Sequence, residues 1–199
     1  MQKYFFTSDT HYGHTNFCSG TTKWSDKSEC RQFDTLQDMN DTLVDAINSV
    51  VGKNDFLYHA GDFAWGKKNV IEFRSRIICK NVFLAPGNHD KELMYSQELR
   101  KLFSSVYPGY GSIKVNNRHI ILCHFAMRTW DRSHHGSWNL YGHSHGTLPE
   151  LDTMLAMDIG CDTRYDFKPY SFEEIQDRMI KKTLIVTHHR KNIDNESDN

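Results

Sequence analysis

Five short apolar runs in this sequence each end in side chains suited to metal binding or acid–base work. Asp9-Thr10-His11 follows Tyr4 to Thr7, Gly61-Asp62 follows Phe56 to Ala60, and Gly87-Asn88-His89-Asp90 follows Val82 to Pro86. His124 follows Ile120 to Cys123, and Gly142-His143-Ser144-His145 follows Leu140-Tyr141. Carboxylate, amide oxygen and imidazole together suit borderline divalent metals such as Mn, Fe, Zn, Ni or Co. Two Asp, one Asn and a set of His make seven candidate ligands. That is too many for one tetrahedral zinc and enough for two ions sharing a carboxylate. Paired ions about 3.5–4 Å apart favour in-line attack at phosphorus, because they stabilise both the entering and the leaving oxygen. Taken alone, a strand-end Asp or His is more often a turn or capping residue. Five in succession point instead to one crevice, since ligands of open α/β sheets bind outside the carboxyl ends of the strands. Gly61, Gly87 and Gly142 are expected to let the backbone turn sharply there.

The elements that must position these groups follow from periodicity. Tyr4 to Thr7, Phe56 to Tyr58 and Val82 to Leu84 read as strands. Leu36, Met39, Leu43, Ile47 and Val50 recur at helical steps after Asp34-Thr35, and Val70 to Ile78 and Glu92 to Phe103 read as further helices. From Ser112 onward the pattern turns strand-like, at Ser112 to Val115, His119 to Cys123, Asn139 to Tyr141, Leu155 to Ile159 and Thr183 to Val186. Asn116-Asn117 sits where a hairpin turn belongs. Ser171 and Glu174 form a capping box for a helix to Met179. A βαβα first half and a mostly β second half predict a layered α/β domain with mixed sheets. One domain over 1–190 and a frayed tail over 191–199 are expected.

Composition bounds the partners. The chain has 199 residues and a formal net charge of -1, so no overall electrostatic grip on nucleic acid or an anionic membrane is expected. It has no apolar run near the ~20 residues of a membrane span. Cys18, Cys30, Cys79, Cys123 and Cys161 are odd in number and scattered, which fits free thiols in a reducing cytoplasm. Twelve His are the one compositional anomaly.

The ordered motifs Asp9-x-His11, Gly61-Asp62, Gly87-Asn88-His89-Asp90, lone His124 and Gly142-His143-x-His145 resemble the calcineurin-like metallophosphoesterase superfamily. The extended start Ser8-Asp9-Thr10-His11-Tyr12-Gly13-His14 resembles its small bacterial and phage members. The resemblance implies an α/β/β/α sandwich with two mixed sheets. It implies a first metal on Asp9, His11 and His145, a second on Asn88, His124 and His143, and Asp62 as the bridge. It further implies attack by a metal-bridging hydroxide, with His89 facing the substrate as acid and Asp90 hydrogen-bonding and orienting it. Mn is the expected metal. Two ions bring more positive charge than Asp9 and Asp62 cancel, so the site would attract phosphate. Two departures stand out. Cys123-His124 replaces the usual Gly-His, and Phe63-Ala64-Trp65-Gly66 follows Asp62 where an acidic residue is common.

Outside the motifs, His14, Arg128 and Trp65 are candidate substrate contacts. A guanidinium at Arg128 could clamp a phosphate oxygen, and Trp65, Trp130 and Trp138 could stack on a base or cover the core edge. His59 reads as a packing or orienting residue, Asp158 and Asp162 as structural, and His119, His134, His135, His188 and His189 as solvent-facing or strand-edge. The expected function is phosphodiester hydrolysis on a small or nucleotide-type substrate. Phosphomonoesterase and nuclease activities are the alternatives, and basic pairs are too few to favour a polymer. A non-catalytic interaction module is disfavoured, since His89, Asp90 and every implied ligand are present.

Overall fold

A computed structural model of the chain describes residues 2–183. In the first sheet, β1 (Tyr4–Thr7), β2 (Phe56–His59), β3 (Asn81–Leu84) and β4 (Ser105–Val106) run parallel, and β9 (Tyr170–Ser171) pairs antiparallel with β1. The strand order is β4-β3-β2-β1-β9. The second sheet has the order β5-β6-β7-β8, with β5 (Tyr110–Val115), β6 (Arg118–Cys123), β7 (Trp138–Tyr141) and β8 (Ala156–Asp158). Its first pair is antiparallel and the other two are parallel, so both sheets are mixed, as expected. Asn116 and Asn117 both take positive φ, 45° and 63°, the left-handed pair that a two-residue hairpin turn needs.

Crossover helices make the parallel order possible. Thr35 caps α1 (Leu36–Val50) by accepting from Asp38 N, and Met39, Leu43, Val44 and Ile47 form its buried stripe. Helix α2 (Gly66–Arg76) starts a turn before the expected Val70, because its first turn is polar and gave no apolar period. The helix expected over 92–103 is two helices, α3 (Lys91–Tyr95) and α4 (Gln97–Arg100). Ser96 takes extended backbone, φ -100° and ψ 109°, and caps α4 through Leu99 N, so the break is a capping event. The capping box at Ser171 opens α5 (Phe172–Met179), as expected.

Two apolar clusters mark the layers. Val44, Ile47, Val70, Phe73, Leu93 and Leu99 of the helices pack on Phe5, Leu57 and Val82 of the first sheet. The alternate residues Phe6 and Tyr58 meet Ile120, Leu122, Trp138, Leu140 and Met157 between the sheets, and α5 adds Phe172, Ile175 and Met179 there. No helix among the described residues is long and apolar enough to cross a membrane. The remainder of the strand expected to Val186, the tail over 191–199, and His188 and His189 lie outside the described residues.

Candidate metal centre

Parallel strands deliver the predicted groups to one end of the sandwich. Strands β1, β2 and β3 end at Thr7, His59 and Leu84, and the loops after them carry Asp9, His11, Asp62, Asn88 and His89. Strands β6 and β7 end at Cys123 and Tyr141 and carry His124, His143 and His145. Loop-to-loop hydrogen bonds fix the array: Asp9 N donates to Gly61 O and His11 N to Asp62 O, both at 2.9 Å, and Gly142 N donates to His124 O at 3.0 Å. The expectation about glycines holds at Gly61, with φ 99°, but needs correction at Gly87 and Gly142, which lack positive φ. Their role is to leave space. A Cβ on Gly87 would lie 2.2 Å from Asp62 Oδ1, and one on Gly142 would lie 2.3 Å from Asp9 Oδ2. The left-handed backbone falls on the candidate ligands themselves: Asp9, His11, Asp62, His143 and His145 have φ between 46° and 68°. Such residues cost of order 1–3 kcal/mol each and gather where a site must be pre-shaped.

The side chains form two triads, Asp9, His11 and His145 and then Asp62, His124 and His143, each with donor atoms within 4.8 Å of one another. Asp62 Oδ2 lies 3.3 Å from His124 Nε2 and 3.5 Å from His11 Nε2, so this carboxylate stands between the two sets. Asn88 Oδ1 is 2.9 Å from His124 Nε2. His124 Nδ1 donates to Ala60 O at 2.9 Å, which turns Nε2 toward Asn88 and Asp62. His145 Nδ1 meets Asp162 Oδ2 at 2.7 Å, which turns its Nε2 toward Asp9 Oδ1 at 3.9 Å. His11 Nε2 is buried and has no hydrogen-bond partner among the described residues. Ring nitrogens oriented by bonds at their far side, an orphaned imidazole nitrogen and converging carboxylates are the donor set of a divalent cation. The residues present therefore fit two metals.

Electrostatics without a cation are correspondingly strained. Burial pushes Asp9 up to about 7, even against His145 and His124. Burial also works to raise Asp62, but the His124 hydrogen bond and the nearby His11 bring it down to about 2. Burial holds His11 well below the ordinary imidazole range.

Neighbouring groups support these positions. The Asp90 carboxylate corrects an expectation. Among the described residues, its hydrogen bonds are with the amides of Asp62 at 2.7 Å, Gly87 at 2.8 Å and Phe63 at 3.0 Å, in place of the His89 ring. Asp90 opens α3 from the loop after β3, which aims its carboxylate at the neighbouring Gly61-Asp62-Phe63 loop. It ties the two loops together. His59 is wholly buried and accepts from Gly61 N through Nδ1, so its Nε2–H donates to Thr10 Oγ1 at 3.0 Å. Burial lowers its pKa to about 3, and its neutral ring orients the loop, as expected for an orienting residue. Asp158 is structural, accepting from Gly146 N and Gly160 N. Cys123 accommodates the missing glycine, its Sγ bonding to Phe125 O and receiving Asn139 Nδ2.

Sequence reasoning missed Arg31. Its buried guanidinium binds Asp162 through two nitrogens at 2.7 and 2.8 Å and donates to Thr10 O and Asp9 O. Nothing in its local pattern signals this, because its partner Asp162 is 131 positions away. Asp162, read as structural, orients His145 as well.

The candidate substrate contacts part company. His14 and Trp65 lie at the centre, with ring centroids 4.0 Å apart, and Trp65 is 5.3 Å from His89. The His89 ring is exposed and 5.4 Å from that of His11, and its backbone N–H donates to Asp62 Oδ1 at 2.9 Å. Arg128 is exposed and lines a separate groove with Met127, Trp130, Tyr141 and Leu148. Trp130 and Trp138 cover the core, the former bonding to Ser137. His119 meets Arg132, and the tilted rings of His134 and His135 lie 4.0 Å apart, at the opposite ends of β6 and β7.

A family model described as calcineurin-like phosphoesterase matches residues 3–198. The chain is 27% identical over 196 residues to an uncharacterized protein of Methanocaldococcus jannaschii, covering 94% of this chain and 96% of that one. Among solved structures it is similar to a protein of unknown function from Aquifex aeolicus, with a TM-score of 0.67 and 22% identity over 89% of this chain and 99% of that one. It is also similar to an archaeal phosphodiesterase, with a TM-score of 0.48 and 17% identity over 82% of this chain and 87% of that one.

Proposed function

The chain belongs to the calcineurin-like phosphoesterase family and is a metal-dependent phosphoesterase, and from that premise we propose that it is a dinuclear phosphodiesterase acting on a small or nucleotide-type ester. The observation that carries this reading is the pair of triads with the Asp62 carboxylate between them. In it, Asp9, His11 and His145 hold one divalent ion, Asn88, His124 and His143 hold the other, and Asp62 serves both. The ions, Mn in this proposal, supply when bound the positive charge that receives the phosphate and the acidity that makes water a nucleophile at neutral pH. The chain's own work is to fix these ligands through Ala60 O, Asp162 and Asp90, and to present the exposed His89 to the leaving oxygen as proton donor. Five buried free thiols support a reducing cytoplasmic setting.

The deciding experiment is reconstitution. Metal-free protein is expected to be inactive, and Mn(II) to restore hydrolysis of an aryl phosphodiester. Fully metallated protein that cleaves neither mono- nor diesters, nucleotides included, would refute the proposal.

Metal affinity should also depend on pH with a definite sign. Asp9, raised to about 7 by burial, is protonated in metal-free protein below that pH. A cation must displace this proton. Apparent affinity is therefore expected to weaken by at least about tenfold per pH unit below 7, since each displaced proton carries that slope. The His124 and His145 imidazoles, raised against their burial by the hydrogen bonds to Asp62 and Asp162, give up protons as well. Calorimetric titration in buffers of different ionisation enthalpy would reveal the released proton, and an affinity flat from pH 5.5 to 7 would contradict the Asp9 assignment.

A further inference from the structure

We propose that Trp24 and Trp65 form an aromatic seat for a flat heteroaromatic ring, of the nucleobase class, carried on the leaving group of the ester. The proposal rests on the phosphoesterase reading above and adds to it a determinant of substrate choice. Both indoles are large apolar groups left open to water, Trp65 at 47% and Trp24 at 40% exposure. Both pack on the same residue, His14, with ring centroids at 4.0 and 6.4 Å. Phe17 continues the surface, 5.7 Å from Trp24 and stacked 4.2 Å from His11 of the first triad. Trp65 in turn lies 5.3 Å from His89. The two exposed indoles and the half-buried Phe17 thus extend from a candidate metal ligand to the side chain that faces the leaving oxygen, where the departing group must sit.

His14 supplies an independent observation. It is only 6% exposed, and its Nδ1 has no hydrogen-bond partner among the described residues. Buried polar atoms are nearly always paired, and this one is closed to solvent beside the indoles, so a partner from outside the chain would reach it as the exposed rings give way. A ring heteroatom would satisfy it, and a hydrocarbon ring would not. Stacking supplies affinity that tolerates any base, because every base has a π-face. The net charge of -1 is no obstacle, since the seat recognises the ring and the paired ions the phosphate.

The test compares two methyl phosphodiesters on the Mn-loaded protein, one of a nucleoside and one of the same sugar without its base, so that the leaving alcohols match in acidity. Trp24→Ala and Trp65→Ala are each expected to lower kcat/KM on the nucleoside ester about tenfold more than on the base-free ester, the size of one stacking contact. Trp65→Phe should recover most of that difference. His14→Phe, which keeps a ring and removes Nδ1, should reduce the preference for a nucleoside over a phenyl ester. In metal-free protein, a nucleoside monophosphate should quench indole fluorescence, and the quench should shrink in Trp24→Phe. An oligothymidylate arm identifies the source of the base: preference for it over the mononucleoside ester assigns the seat to a strand end, and the reverse preference to a small nucleotide. Equal losses on the base-bearing and base-free esters would overturn the seat. If wild-type protein cleaves both esters alike, the seat fails while the phosphoesterase reading stands. If it cleaves neither, the fault lies with that reading.

Discussion

His89→Ala is expected to lower kcat by about 10²–10⁴-fold, the usual contribution of a positioned general acid, while the protein still binds two metal equivalents. The geometry separates these two effects. The His89 ring belongs to neither triad, and the residue is tied to the centre through its backbone N–H on Asp62 Oδ1. An alanine keeps that bond, so Asp62 stays in place. In the proposed mechanism the function lost is proton delivery, and its cost depends on the leaving group. An alkoxide needs the proton as it departs, whereas a nitrophenolate hardly does. The expected result is therefore a much larger loss on an alkyl ester than on a nitrophenyl ester. A fall in metal content, or equal losses on both esters, would assign His89 to holding the centre together. Asp62→Asn should give the opposite pattern, disturbing metal content first.

Arg31→Ala is expected to destabilise the metal-free protein by about 3–5 kcal/mol, the cost of leaving one member of a buried ion pair uncompensated. For a chain of this size that corresponds to a fall of roughly 6–20 °C in Tm. Arg31 is 6% exposed, binds both Asp162 oxygens and closes on the carbonyls of Asp9 and Thr10 and on Cys161 Sγ, so its removal strips five acceptors at once. Burial alone would disfavour its charge, but Cys161 and Asp162 beside it raise its pKa further above the arginine range. Asp162 is correspondingly held far below the usual carboxylate range, since Arg31 and His145 outweigh its burial. A carboxylate so depressed contributes stability that is present above about pH 4 and is lost as pH falls through its folded value. The difference between wild type and Arg31→Ala should therefore shrink on acidification below pH 4. Arg31→Lys should recover little, because an ammonium cannot span the two oxygens and two carbonyls. A loss under about 1 kcal/mol by chemical denaturation would show that the pair is screened by solvent.

The contrast between His89 and Arg31 shows where sequence reasoning stops. His89 was legible because its motif is local, a strand end followed by Gly-Asn-His-Asp. The same holds for Asp9, His11, Asp62, Asn88, His124, His143 and His145, each placed at a strand end by the short apolar run before it. The capping box at Ser171 and the Asn116-Asn117 hairpin were legible for the same reason, since their interactions span three residues or fewer. Strands β4 and β9, two residues each, are too short to have a period and exist only through the neighbours they pair with.

The sequence by itself determined the inventory of chemistry and its order along the chain, because side-chain type and strand-end placement are local properties. Only the tertiary structure decided which groups face each other: Asp90 turned to the Asp62 loop and away from His89, Arg31 reached Asp162, and Trp24 and Trp65 met on His14. Those pairings join loops far apart in the chain. They depend on sheet order and register, which bring distant backbone together and leave no periodic trace in the residues involved.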